Sequence, residues 1–123
     1  MLDINTILVP TDFSEYSDNA LRYGCEFAEQ FDAELHVLHV LHKFAHATPE
    51  KVAAFLPPGD LMLDMRGSAK RNLNKRPDAE WAARRPVVRA MREGRPFLEI
   101  IRYADECQVD LIIMGTHGWG PIS

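Results

Sequence analysis

Apolar residues along the chain fall into two patterns: short unbroken runs, and stripes that recur every three or four positions. "NTILVP" (5–10) is a β-rich apolar run ending at a proline, the form of a strand buried on both faces. "TDFSEYS" follows at once, with Asp12 or Ser14 placed to cap a helix and Glu15 three residues after Asp12. From there Ala20, Leu21, Gly24, Phe27, Ala28 and Phe31 trace one stripe, with Arg22, Glu26 and Glu29 on the other side. "AELHVLHV" (33–40) reads as a second strand, so residues 5–40 make a β-α-β unit with an expected right-handed crossover.

The middle is more broken. "KFAHATPEKVAAFLPPGD" holds Pro49, Pro57, Pro58 and Gly59 and leaves room for a short helix at most. Helical spacing resumes over 60–75 through Leu61, Met65, Ala69 and Leu73, and Pro77 ends it. "PVVRAMREG" (86–94) predicts a third strand. A helix from about Pro96, a residue suited to a first helical turn, would turn Leu98, Ile101, Ala104 and Cys107 inward. "DLIIMG" (110–115) predicts the fourth strand. This alternation predicts a single α/β domain over residues 1–123, an open parallel sheet covered by helices on both faces in three α/β/α layers. In such sheets ligands sit beyond the carboxyl ends of the strands, where the strand order reverses. The positions of interest are therefore Pro10-Thr11-Asp12, Val40, Gly94 and Gly115 to Gly118.

Composition narrows the class. With 46% hydrophobic and 26% charged residues the chain reads as a soluble globular protein, and no apolar run approaches the length of about 18 residues that a membrane helix needs. The N-terminus lacks the basic and apolar regions of a signal peptide, so the cytoplasm is the expected compartment. Cys25 and Cys107 have no CxxC spacing and read as reduced core residues. The net charge of −4 conceals a segregation: residues 1–65 carry 3 basic and 11 acidic side chains, residues 66–95 carry 10 and 3, and residues 96–123 carry 1 and 4. The basic stretch can dock an anion or an acidic partner, or can be a solvated helix face. Nucleic-acid binding is a weaker option for it, with steep salt dependence as its signature.

At the strand ends, Asp12 can accept hydrogen bonds from ribose hydroxyls or an exocyclic amine, or can cap the helix. Gly115 and Gly118 let a backbone approach a ligand closely and point N–H groups at anionic oxygens, or serve a turn that needs positive φ. His117, in the same loop, can meet a phosphate or face solvent. His36, His39, His42 and His46 suggest a metal by spacing, but strand geometry turns His36 and His39 to opposite sides, and no metal site is expected. No Walker loop, no GxGxxG after the first strand and no nucleophile motif occurs.

"ILVPTDFSEYSDNALRYGCEFAEQFDAELHVLHV" and "REGRPFLEIIRYADECQVDLIIMGTHG", in that order, resemble the universal stress protein family. The resemblance implies a Rossmann-like α/β fold of the adenine nucleotide alpha hydrolase type, with strand order 3-2-1-4-5, and binding of ATP or AMP between the first and fourth strands. It implies that Pro10, Thr11 and Asp12 lie beside the adenosine, Val40 against the adenine, Met114 and Gly115 near base and ribose, and His117 and Gly118 in the phosphate loop. It further implies a stress-response role, hydrolysis that is slow at most, and homodimers. The family's second phosphate-binding element, a glycine followed by Ser or Thr, has no counterpart before Ser123, and neither do a fourth helix and a fifth strand. A domain incomplete at its C-terminus is therefore expected, with an adenosine side present and a phosphate side half written. A nucleotide-free interaction module of the same fold is the alternative. "LIIM" would then lie at an uncovered sheet edge, so self-association is expected.

Overall fold

The computed structural model describes residues 2–42 and 59–116, with side chains from Asp64 onward in the second segment. Its elements run β1 (Thr6–Pro10), α1 (Glu15–Phe31), β2 (Glu34–His42), α2 (Gly59–Asn74), α3 (Ala79–Arg84), β3 (Val87–Gly94), α4 (Pro96–Glu106) and β4 (Leu111–Ile112). The strands form one parallel sheet, as the alternation predicts, in the order β3-β2-β1-β4 that the family resemblance implies. Helix α3 is the element the apolar pattern did not announce. Asp78 caps it, its carboxylate accepting from the Trp81 N–H at 2.9 Å.

Both faces of the sheet are covered. On one, Ile7, Val9, Leu35 and Val37 pack with Ala20, Leu21 and Ala28 of α1, with Leu73 of α2 and with Trp81 of α3. On the other, Leu8, Leu38 and Val40 meet Ile100 and Tyr103 of α4. The unbroken apolar run of β1 and the mainly apolar run of β2 follow from this, since successive residues enter different cores. His36 and His39 part in the same way: His36 shares a hydrogen bond with the Tyr103 hydroxyl in the α4 layer, while His39 stacks on Phe13 beside α1.

Two stripes differ from the sequence pattern. On α4 the buried residues are Ile100 and Tyr103, with Ala104 and Cys107 packed against them, while Leu98 and Ile101 are 43% and 63% exposed. Two apolar flanks share this helix, and contact with β2 and β3 selects one of them. On α2, Ala69 and Leu73 are buried but Met65 is half exposed, lining a hollow shared with His39 and Leu41 of β2. Leu61 and His46 lie outside the residues whose side chains are described.

The charge segregation resolves largely within the fold. Arg76 reaches Asp18 at 2.7 Å and Arg85 reaches Asp32 at 3.0 Å, joining the basic stretch to acidic α1 and its C-cap. Arg66 pairs with Glu93 and Arg92 with Glu106.

Gly24 marks where α1 presses hardest on β1. A Cβ there would lie 2.4 Å from Val9 Cγ2, and that β-branched side chain is fully buried. Glycine to alanine in an open helix stabilises by about 1 kcal/mol. Gly24→Ala is expected to do the reverse, costing roughly 1–3 kcal/mol as overpacking, measured by urea denaturation; an unchanged or raised midpoint would refute this contact.

Candidate functional site

Strand β1 ends in a fully buried Pro10 and Thr11, and the backbone must leave the core without stranding polar groups. The Thr11 N–H donates to the Leu38 carbonyl at 2.8 Å, and the Thr11 carbonyl accepts from His39 Nδ1 at 2.8 Å. That second bond fixes the tautomer of His39, since a carbonyl can only accept. The Thr11 hydroxyl accepts from the Phe13 N–H at 3.0 Å and shares a hydrogen bond with Ser17 Oγ. Asp12 Oδ1 accepts from the Ser14 N–H and from Ser17 Oγ, both at 2.9 Å. Ser17 has a single hydroxyl proton, and the carboxylate is its stronger acceptor, so Thr11 donates to Ser17.

Ser14, not Asp12, is the N-cap of α1, its hydroxyl accepting from the Ser17 N–H. Asp12 instead closes the tight turn before it. This turn drives Phe13 to φ 67°, a left-handed conformation that a bulky residue adopts only when its surroundings demand it. Phe13 is sandwiched: His39 stacks on it with centroids 4.2 Å apart, and the Arg76 guanidinium sits 5.0 Å from its ring centre. Arg76 is itself anchored on Asp18 and on the Asn72 carbonyl. Nothing local in the sequence marks Phe13, His39 and Arg76 as partners, because the contacts span α1, β2 and the end of α2.

Strand β4 delivers Met114 and Gly115 to the same end of the sheet, with the Ile113 N–H donating to the Leu8 carbonyl at 3.0 Å. A Cβ on Gly115 would lie 2.9 Å from the carbonyl carbon and oxygen of Tyr16 and 3.2 Å from the Ser17 N. The close approach read from this glycine is thus made to the first turn of α1. Val40 lies two residues beyond the β1–β2 pairing, and its side chain is buried in the α4-side core, so it offers a ligand chiefly backbone. Pro10, Thr11, Asp12, Met114 and Gly115 are brought together across β1 and β4; His117 and Gly118 lie outside the described residues.

A hollow of about 350 Å³ opens beside the turn, lined by Phe13, His39, Leu41, Met65, Ala69 and Asn72. A larger cleft of about 520 Å³ runs between α1 and the α2–α3 connection. That cleft lies off the strand ends. Its Cys25 thiol is pushed up to about 12 by burial and by the nearby Glu29 carboxylate, which leaves it a poor nucleophile. Among the described residues no cluster of three or more His, Cys, Asp or Glu side chains could hold a metal.

The fold and this turn define an open, parallel α/β protein whose chain crosses from one side of β1 to the other, placing the ends of β1 and β4 together. The profile of the universal stress protein family matches residues 3–123, and the chain belongs to that family. A universal stress protein of Methanocaldococcus jannaschii is 29% identical over 112 residues, 91% of this chain but 64% of the relative, so the chain spans about two thirds of that protein's length. The universal stress protein UspA of Lactobacillus plantarum superposes with a TM-score of 0.79 at 25% identity, covering 98% of this chain and 83% of that one. A universal stress protein crystallised in complex with cAMP shares the fold at a TM-score of 0.54 and 18% identity, covering 90% and 71%.

Two outcomes test the turn. Gly115→Ala should lower stability by more than about 1 kcal/mol, because backbone atoms of Tyr16 and Ser17 cannot rotate away as a side chain can; a thermal midpoint equal to wild type would refute the contact. Burial pushes His39 below its ordinary value of 6.5, against the opposing pull of the Thr11 carbonyl and of Asp12. A histidine depressed in the folded state contributes stability above pH 6.5 that is lost as pH falls through its folded value. Stability relative to His39→Gln should therefore be level above pH 6.5 and decline below it; a difference that grows on acidification would overturn this sign.

Proposed function

We propose that this chain is an adenine-nucleotide-binding universal stress protein with a regulatory role in stress, its ligand seated where the turns after β1 and β4 meet. The observation that carries this reading is the convergence of Asp12, Met114 and Gly115 on one end of the sheet, with Gly115 packed on the start of α1. Asp12 Oδ1 is committed to the turn, and a carboxylate retains acceptor capacity on its other oxygen for a ribose hydroxyl or an amine. Strand order reverses at β1, the place where parallel sheets bind ligands. The cAMP complex of a relative supports an adenine nucleotide as ligand class. On this reading phosphate contacts would come from His117 and Gly118, which lie outside the described residues.

A second reading, a nucleotide-free interaction module, is favoured by one observation: the turn satisfies its hydroxyl and N–H groups internally. Self-association is compatible with either reading, while the internal pairing of Arg76 and Arg85 argues against an acidic partner as the main purpose of the basic stretch. The readings separate by calorimetry. ATP and AMP are expected to bind the wild type, and Asp12→Asn, which keeps an acceptor for the turn, to weaken both by about tenfold, or 1.4 kcal/mol. Nucleotide released on denaturing the purified protein would agree. Absence of heat from both nucleotides, with none released, would leave the interaction module standing.

A further inference from the structure

The cleft between α1 and the α2–α3 connection takes no part in the turn after β1, yet it is larger than the hollow beside that turn. One wall is a single face of α1, where Leu21, Arg22, Cys25 and Glu26 stand three or four residues apart. The other runs from Lys75, at the end of α2, to Trp81 in the first turn of α3. The volume of about 520 Å³ falls within the roughly 300–1,000 Å³ of small-molecule sites.

The floor of the cleft is apolar. Leu21 and Trp81 are members of the α1-side core that also line the cleft, beside buried Pro77 and half-buried Cys25. Burial and the neighbouring carboxylates keep the Cys25 thiol protonated, so it joins this floor as an uncharged group.

The charges around the floor divide into those already paired and those that are not. Arg76 and Asp18 meet at 2.7 Å, and Arg76 also packs on Phe13. One oxygen of Asp78 accepts from the Trp81 N–H. Among the described residues the side chains of Lys75 and Glu26 make no hydrogen bond or ion pair, and Arg22 donates to the neutral Asn19 side chain. Lys75 stands on one wall and Glu26 on the other. A ligand with a single charge would be attracted by one of them and repelled by the other, whereas a ligand with both charges on an apolar body is attracted by both.

We propose that this cleft binds a small zwitterion with an apolar side group, of the chemical class of the free apolar α-amino acids. The carboxylate is placed toward Lys75 and Arg22, the ammonium toward Glu26, and the side group over Leu21, Pro77 and Trp81. Covering the floor supplies most of the affinity, and the two charges fix the orientation. The cleft lies off the strand ends, so this binding is independent of any nucleotide held there.

The test titrates the nucleotide-free, isotope-labelled chain with L-phenylalanine, with its carboxamide, which keeps only the positive charge, and with its N-acetyl derivative, which keeps only the negative one. L-Phenylalanine is expected to shift the backbone amides of residues 21–26 and 75–81 and to bind at least about threefold more tightly than either derivative. Lys75→Glu, at an exposed position, should weaken L-phenylalanine about fivefold and make the carboxamide bind more tightly than the N-acetyl derivative. Glu26→Gln, also exposed, should weaken L-phenylalanine and the carboxamide while sparing the N-acetyl derivative. Far-UV circular dichroism checks the fold of both variants. Absence of saturable shifts, shifts confined to other residues, equal binding of the three probes, or a preference among them that neither variant changes overturns the proposal.

Discussion

The exit of the chain from β1 is the constraint on which the rest depends. β1 is paired on both sides and covered on both faces, so the first residue able to carry polarity, Thr11, is still fully buried. A buried hydroxyl without a partner costs about 1–3 kcal/mol. Thr11 therefore needs Ser17 and the Phe13 N–H at hydrogen-bonding distance, and Asp12 and Ser14 complete the arrangement. Those bonds start α1 one turn from the strand end and hold Phe13 at positive φ. They also set the surface of Tyr16 and Ser17 against which only a glycine at position 115 fits.

Coverage of the sheet is uneven. On the α1 side three helices contribute, and arginines of α2, α3 and their connections clamp acidic α1: Arg76 on Asp18, Arg85 on Asp32 and, at 4.0 Å, Arg84 on Glu29. Exposed pairs of this kind are individually weak, about 0–1 kcal/mol, but Arg76 also packs on Phe13, so the clamp and the strained turn share a residue. On the other side α4 lies over β2 and β3, and Ile112 keeps partial exposure. One face of the molecule is thus closed upon itself, and the other carries its apolar flank outward.

Much of this was legible because it is local. Apolar runs gave β1 and β2, and the stripe Ala20, Leu21, Gly24, Phe27, Ala28 and Phe31 gave the inner face of α1, with Phe27 and Phe31 only partly buried at its margin, since both reflect periods set by backbone geometry. That the sheet is parallel came from the alternation of strands and helices, while its strand order came from the family resemblance. What escaped is long-range. The α4 sequence permits two apolar stripes of equal spacing, and only the position of β2 beneath it buries Ile100 and Tyr103 in place of Leu98 and Ile101. Asp12 and Ser14 are equivalent caps by composition, and the hydroxyl of Ser17, a turn away, decides between them. For basic residues 66–95 the pattern left a docking patch and a solvated helix face open, because the acidic partners of Arg76 and Arg85 lie more than fifty positions earlier. At the candidate site the residue identities at Asp12 and Gly115 were readable, while the Phe13, His39 and Arg76 stack was not.

The self-sufficiency of the turn limits how any ligand can be recognised there. Its N–H and hydroxyl groups already have protein partners, so a ligand that displaced them would lose as many hydrogen bonds as it gained. What remains available is additive: the second Asp12 oxygen, backbone at Val40 and Met114, and the hollow walled by Phe13 and His39. A site of this kind is already ordered before binding, which spares the ligand the entropy of arranging it. The strain at Phe13 is then held by contacts on both faces of its ring whether or not a ligand is bound. Any group entering the hollow meets an already ordered wall of Phe13 and His39, so recognition there rests on fit to a fixed shape and not on rearrangement of the turn.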